Sequence, residues 1–246
     1  MDYKYTDTGQ RMPRPVHPTE VPAADVDAYA YTAEHARNWV INNRGPQVDG
    51  KVYHEDYYKA WTNAPQLFQG LWSLAISVQQ EKAEAGQYTL ADHEMIDLVL
   101  TLDEPRYYIF LAGHTATAIC AGIRIEAIEA LSNGQENLLT EDERLQVDFI
   151  RAVRDMKMTD ALWHRMVHRL GSVRGAIYFA FFVGYLRLHQ MMMQSFGAPA
   201  MKKDEWDAYL AGMKDGSIDP ALRAHDYLWN YLPRPASVRA RDGQDV

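Results

Sequence analysis

An imidazole, a phenol and an aromatic ring fall at helical spacing within the stretch Leu90 to Ile128. If that stretch is helical throughout, Tyr107, Phe110, Leu111 and His114 share one face, with the His114 ring at its C-terminal end. Thr115 and Ala118 continue the wall. Such a stripe is either a wedge of core with its polar tips satisfied or the lining of a pocket that moves a proton. His114 suits the second use, because an imidazole gains and loses a proton near neutral pH. Its ordinary alternative is a buried ring bonded to a main-chain carbonyl. Tyr107 would donate a hydrogen bond to a developing oxyanion or pass a proton to His114, with Tyr108 about a third of a turn away and less well placed. Glu94 and Asp97, three residues apart, are carboxylates on a half-apolar helix, where such groups are usually solvated. Both stand on a separate helix, so spacing alone does not join them to His114.

Other reactive side chains carry weaker signals. Cys120 is the single cysteine, six residues after His114 and so on a different side of a helix, where it reads as a small core residue. His164 and His168 stand four apart, a chelating interval, but no third ligand is evident and no zinc-protease motif surrounds them. His93, next to Glu94, has no more support. Neither a metal nor another cofactor is expected. Phe110, Tyr108, Trp72 and Tyr185 are the aromatic residues expected to contact a small-molecule substrate, although aromatic stripes at helical spacing are more often plain core. An anionic substrate would need an arginine, Arg187 or Arg106, because the chain itself is acidic.

That acidity bounds the partners. With 25 basic against 33 acidic residues the formal net charge is −8, and no cluster of basic residues interleaved with aromatics occurs, which argues against nucleic acid. At 246 residues and 47% hydrophobic, the composition is that of an ordinary globular protein with one sizeable core or two small ones. One cysteine excludes an internal disulfide and fits a cytoplasmic setting. The N-terminal residues lack the apolar core of a signal peptide. The most apolar run, Gly175 to Leu186, lies between Arg174 and Arg187 and is far shorter than the ~20 residues a bilayer crossing needs, so no membrane partner is expected.

The elements that must position these side chains read as helices. Four prolines before Ala23 predict an extended arm, of a kind that often wraps a neighbouring subunit, and a helical period then runs from Ala23 to Gly45-Pro46. A short aromatic helix spans Tyr53 to Trp61, and Pro65 opens the next, which Gly86 closes. Thr89 and Asp92 form a capping arrangement for the helix of Glu94, and Pro105 is expected to open the helix of His114 that Gly122 ends. A brief amphipathic helix follows over Ile123 to Leu131. Thr140 with Glu143, then Thr159 with Gly171, bracket two more helices, and a long helix apolar on nearly every side runs from Ser172 to Phe196. Helices are expected at Trp206 to Met213 and Pro220 to Tyr231, with a polar tail after Pro233. No stretch alternates with period two for long, so the fold class is all-α.

The acid Glu94, a break, a helix ending in His114, then Ala116-x-Ala118-x-x-Ala121-Gly122-Ile123 and the acidic segment Arg124 to Leu131 together resemble the carboxymuconolactone decarboxylase and alkyl hydroperoxidase D-like family. The resemblance spans roughly Asn63 to Gly197. It implies a compact helical bundle of that type over residues 53–198, with an N-terminal arm and helix at 1–52 and a C-terminal helical extension and tail at 199–246. It also implies a homo-oligomer, a trimer or hexamer, and a proton relay between Glu94 and His114 in which Asp97 could replace Glu94. Thiol members of the family carry Cys-x-x-Cys seven and four residues before the histidine. Here those positions are Tyr107 and Phe110. The expectation is therefore a thiol-independent lyase, decarboxylase or isomerase acting on a small oxidised, ring-derived organic acid. Two alternatives stand beside it: a hydroperoxide reductase resting on Cys120, and a non-catalytic oligomeric binding protein whose pocket has closed around Tyr107 and Phe110.

Overall fold

The computed structural model of the protein describes residues 13–42, 54–85, 88–104, 107–108, 110–198, 200–225 and 232–242. The fold is all-α and compact. The chain forms α1 (Val26–Asn42), α2 (His54–Ala60), α3 (Pro65–Ala85) and α4 (Leu90–Leu102) before a two-residue strand, β1 (Tyr107–Tyr108). There follow α5 (Phe110–Cys120), α6 (Ile125–Ser132), α7 (Glu141–Arg154), α8 (Asp160–Leu170) and α9 (Val173–Phe196). A second two-residue strand, β2 (Ala200–Met201), precedes α10 (Lys203–Asp215) and α11 (Ala236–Arg241). No described helix is long and apolar enough to cross a membrane.

Helix α4 is the centre of the larger core. Met95, Ile96, Leu98, Val99 and Leu100 are all buried, which requires neighbours on every side, and α5, α6, α7 and α9 supply them. Its start is fixed locally. Thr89 accepts the Asp92 N–H through its hydroxyl, and the Asp92 carboxylate accepts the Thr89 N–H at 2.7 Å, satisfying two donors that the first turn leaves without partners. The same device starts α7 at Thr140 and Glu143, and Thr159 caps α8, which ends at Gly171 in the left-handed region. Asp92 is then held by Arg169 from α8 at 2.7 Å, a buried acid with its charge paired.

A second, smaller core joins the N-terminal helices to the end of α9. Tyr57, Tyr58, Trp61 and Phe68 are buried there with Met193. The N-terminal arm lies against its own chain at this point: the Val16 N–H donates to Thr62 Oγ1 and Asn63 Nδ2 donates to the Arg14 carbonyl. Of α9, Phe179, Phe182 and Val183 are fully buried while Ile177 and Met191 face outward, as do Leu67 and Leu74, seven apart on α3.

Three local expectations are corrected. The helix predicted from Pro105 begins only at Phe110, because Tyr107 and Tyr108 are extended and pair antiparallel with Met201 and Ala200. Consecutive tyrosines favour extended backbone, and a strand partner from beyond α9 turns that preference into a ladder. Tyr107 therefore does not share a helical stripe with His114. Of the helix predicted over Pro220 to Tyr231, the described part is a 3-10 turn, Pro220–Leu222, capped by Asp219, and residues 226–231 lie outside the described residues. By residue 225 the backbone N–H donates to Thr117 Oγ1 at 3.0 Å, a tertiary bond that takes the place of a helical one. Conversely, the tail after Pro235 forms α11, because Val238 is fully buried in the larger core, which Trp206 and Leu210 of α10 also enter. The ends predicted at Gly45-Pro46 and Gly86 lie outside the described residues.

Candidate active site

The chemistry-bearing side chains converge where α4 meets α5. Glu94 and Asp97 are three residues apart on α4, so both carboxylates leave the same face of the helix. Helix α5 turns short residues inward, with Ala112, Ala116 and Ala118 fully buried, and lies close against α4. That proximity brings His114 Nδ1 to 2.9 Å from Glu94 Oε2 and 3.3 Å from Asp97 Oδ2. Carboxylates accept and do not donate when ionised, so Nδ1 carries the hydrogen and donates it to Glu94. Asp97 Oδ2 is buried and accepts no hydrogen bond among the described residues. Glu94 is wholly enclosed, whereas the side chains of Asp97 and His114 keep 14% and 13% of their surface exposed, so the site has an edge on the outside.

The electrostatics follow from this packing. Burial works against a charged imidazole, yet the charges of Asp97 and Glu94 and the hydrogen bond that His114 donates to Glu94 outweigh it and raise His114 to about 9. Asp97 moves the other way from an ordinary carboxyl. Burial raises it to about 7, with His114 pulling down and Glu94 pushing up. Two acids facing one imidazole leave the buried cluster with more negative than positive charge whenever both are ionised. One oxygen from each acid and His114 Nδ1 lie within 4.8 Å of one another, the one such grouping of three metal-ligating side chains among the described residues.

Two more imidazoles border the cluster. His93 Nε2 stands 3.7 Å from Asp97 Oδ2, and its Nδ1 is 3.4 Å from the hydroxyl of the buried Tyr88. His225 lies edge-on to His114 with ring centroids 4.6 Å apart. It can lie there because residue 113 is glycine: a Cβ at that position would sit 2.7 Å from Cε1 and Nε2 of the His225 ring. Thr117 helps, accepting the His225 N–H and donating its own hydroxyl to the Gly113 carbonyl at 2.9 Å.

No family model, curated protein or solved structure matches the chain.

The structure brings Glu94, Asp97 and His114 together, with Asp97 joining Glu94 where it was expected only to replace it. The side chains of Tyr107, Tyr108 and Phe110 lie outside the described residues. Trp72 belongs to the second core, stacked on Phe68 at 6.0 Å and 4.0 Å from the His35 ring. Tyr185 is buried beside His189, with no hydrogen-bond partner for its hydroxyl among the described residues. Tyr58 is within electrostatic reach of both Tyr185 and Asp97. Arg187 is bonded to Glu104 at 2.6 Å and to Gln190, so a substrate carboxylate would compete with both. His164 and His168 line an open hollow with Glu141, Asp142, Arg165 and Arg169. Sequence reasoning set His93 aside and missed His225. The available signal for His225 was Gly113, a glycine inside a helix beside the candidate histidine, which marks a close approach by something else.

Proposed function

We propose that the protein is an acid–base enzyme of the carboxymuconolactone decarboxylase-like kind that works without thiols. It would carry out a lyase, decarboxylase or isomerase step on a small oxidised, ring-derived organic acid. The observation that carries this reading is the partly buried imidazole of His114 held beside two carboxylates at 2.9 and 3.3 Å. A histidine raised to about 9 is protonated at neutral pH and rests as a proton donor, while an acid at about 7 beside it exchanges protons readily. In a decarboxylation the bond to the departing CO2 breaks, the electron pair remains on carbon as an enolate, and His114 delivers the proton that carbon requires. Asp97 and Glu94 stabilise the charged donor beforehand and Asp97 returns a proton afterwards. The enolate oxygen needs a hydrogen-bond donor, a role for which the hydroxyl of Tyr107 is the candidate.

Cys120 speaks against the hydroperoxide-reductase alternative. Burial, with the charge of Asp219, pushes its thiol up to about 11, so the nucleophilic thiolate is scarce at neutral pH. The exposed apolar side chains Leu67, Leu74 and Ile177 support assembly into a homo-oligomer, a trimer or hexamer, and light scattering at micromolar concentration would report a monomer if they do not serve that purpose.

The reaction is tested by presenting ring-cleavage acids and following CO2 release and ultraviolet absorbance. His114→Gln should lower turnover about 100- to 10,000-fold, the range general acid–base catalysis supplies. Cys120→Ser should leave it intact. Loss of activity in Cys120→Ser with His114→Gln still active would overturn the reading.

A further inference from the structure

We infer that Glu94, Asp97 and His114 form a binding site for a divalent first-row transition metal, each residue giving one ligand atom. The distances carry the inference. Ligands on adjacent positions of an ion with bonds of about 2.0–2.2 Å stand roughly 2.9–3.4 Å apart. His114 Nδ1 lies at 2.9 Å from Glu94 Oε2 and 3.3 Å from Asp97 Oδ2, and all three atoms fall within 4.8 Å of one another. The backbone places them suitably: ligands three residues apart on one helix, facing a ligand on a neighbouring helix, is how helical bundles build metal centres in their interiors.

Chemistry points the same way. Asp97 Oδ2 is a buried oxygen that accepts no hydrogen bond among the described residues, and it faces the imidazole that Glu94 also holds. An ion there would use that lone pair and offset the negative charge of the enclosed Glu94 and the partly exposed Asp97. One imidazole nitrogen with two carboxylate oxygens suits Mn2+, Fe2+, Co2+ or Zn2+, whereas Cu(I) calls for sulfur and Mg2+ or Ca2+ for oxygen alone. Beyond the ligands, His93 at 3.7 Å from Asp97, itself beside the Tyr88 hydroxyl, steadies the second carboxylate as supporting groups in metal centres do. The partly exposed edges of Asp97 and His114 give the ion its way in.

The inference shares side chains with the proposed function but does not depend on the reaction. Where that reaction holds, a bound cation replaces the hydrogen on His114 Nδ1 and so competes with proton delivery.

The full chain, stripped with chelator, is titrated calorimetrically with Mn2+, Co2+ or Zn2+ alone. One ion per chain is expected, with Glu94→Gln and Asp97→Asn each weakening it more than tenfold. His164→Ala/His168→Ala should leave it unchanged. Binding that survives both acid variants, or that disappears in the His164/His168 variant, overturns the site. Because a change at an enclosed acid can unfold the chain, spin-echo spectroscopy of Mn2+ on the unaltered protein gives a second measurement. It should show one imidazole nitrogen at the metal, and none or two would overturn the assignment. Metal binding without turnover removes the enzyme and keeps the site, and turnover without metal binding does the reverse.

Discussion

The protein holds partly buried histidines in two regions that treat the same ring in opposite ways. His35 lies against Trp72, Phe68 and Tyr58 of the smaller core, and His189 lies between that core's Tyr57 and the larger core's Tyr185. Burial lowers both to about 4, with His35 adding to the effect on His189, and both rings are neutral. Between α4 and α5, His114 is enclosed as well, yet it rises to about 9. Enclosure alone therefore empties an imidazole of its extra proton, and two carboxylates within 3.3 Å are what return it. Aromatic walls make a hydrogen-bonding ring, and acidic walls make a proton donor.

The largest effect expected on this contrast comes from removing both acids. In Glu94→Gln/Asp97→Asn, His114 should fall from about 9 to below its ordinary 6.5 and join His35 and His189. Ring-proton chemical shifts followed against pH would register the drop, and a His114 still titrating near 9 would break the comparison. Stability should follow the same logic. A histidine whose folded value exceeds its unfolded one stabilises fully below about 6.5 and loses that contribution as pH rises through about 9. Asp97, raised from 3.8 to about 7, has the same sign at lower pH, since ionising it in the folded state is the costly step. Denaturant unfolding of chelator-treated protein should thus lose on the order of 3 kcal/mol from this site between neutral pH and pH 9. In the double variant the slope contributed by His114 should reverse.

A smaller effect is expected from Gly113→Ala. The new methyl would meet the His225 ring at 2.7 Å, an overpacking cost of about 1–3 kcal/mol, against about 1 kcal/mol gained from better helix propensity. A net loss of melting temperature with a changed ring-current shift on His114 is the expected outcome, whereas a stabilised variant would show that His225 yields easily. The mildest test lies in the aromatic region. Tyr57→Phe deletes the hydroxyl 3.1 Å from His189 Nδ1 and should cost about 1 kcal/mol, leaving the titration of His114 where it was.

Much of the helical frame was legible because its signals are local. Thr89 with Asp92, Thr140 with Glu143, and Gly171 each announce a helix end within four residues, and the structure uses all of them. The acids and His114 were visible as candidates for the same reason. Their meeting was not, since it depends on how closely α5 approaches α4. Nor was the extended backbone at Tyr107, which comes from pairing with residues 200–201, or the bend at His225, which comes from a hydrogen bond to Thr117. Each of these misses is a contact between distant parts of the chain that outweighs a local preference.

The bond from His225 to Thr117 joins residues 108 positions apart. On a ribosome adding about 5–20 residues per second, α5 has been made for roughly five to twenty seconds before the ring that covers it is even synthesised. Until then Gly113 stands without the ring for which it leaves room, so a late part of the chain must close onto a surface made well before it.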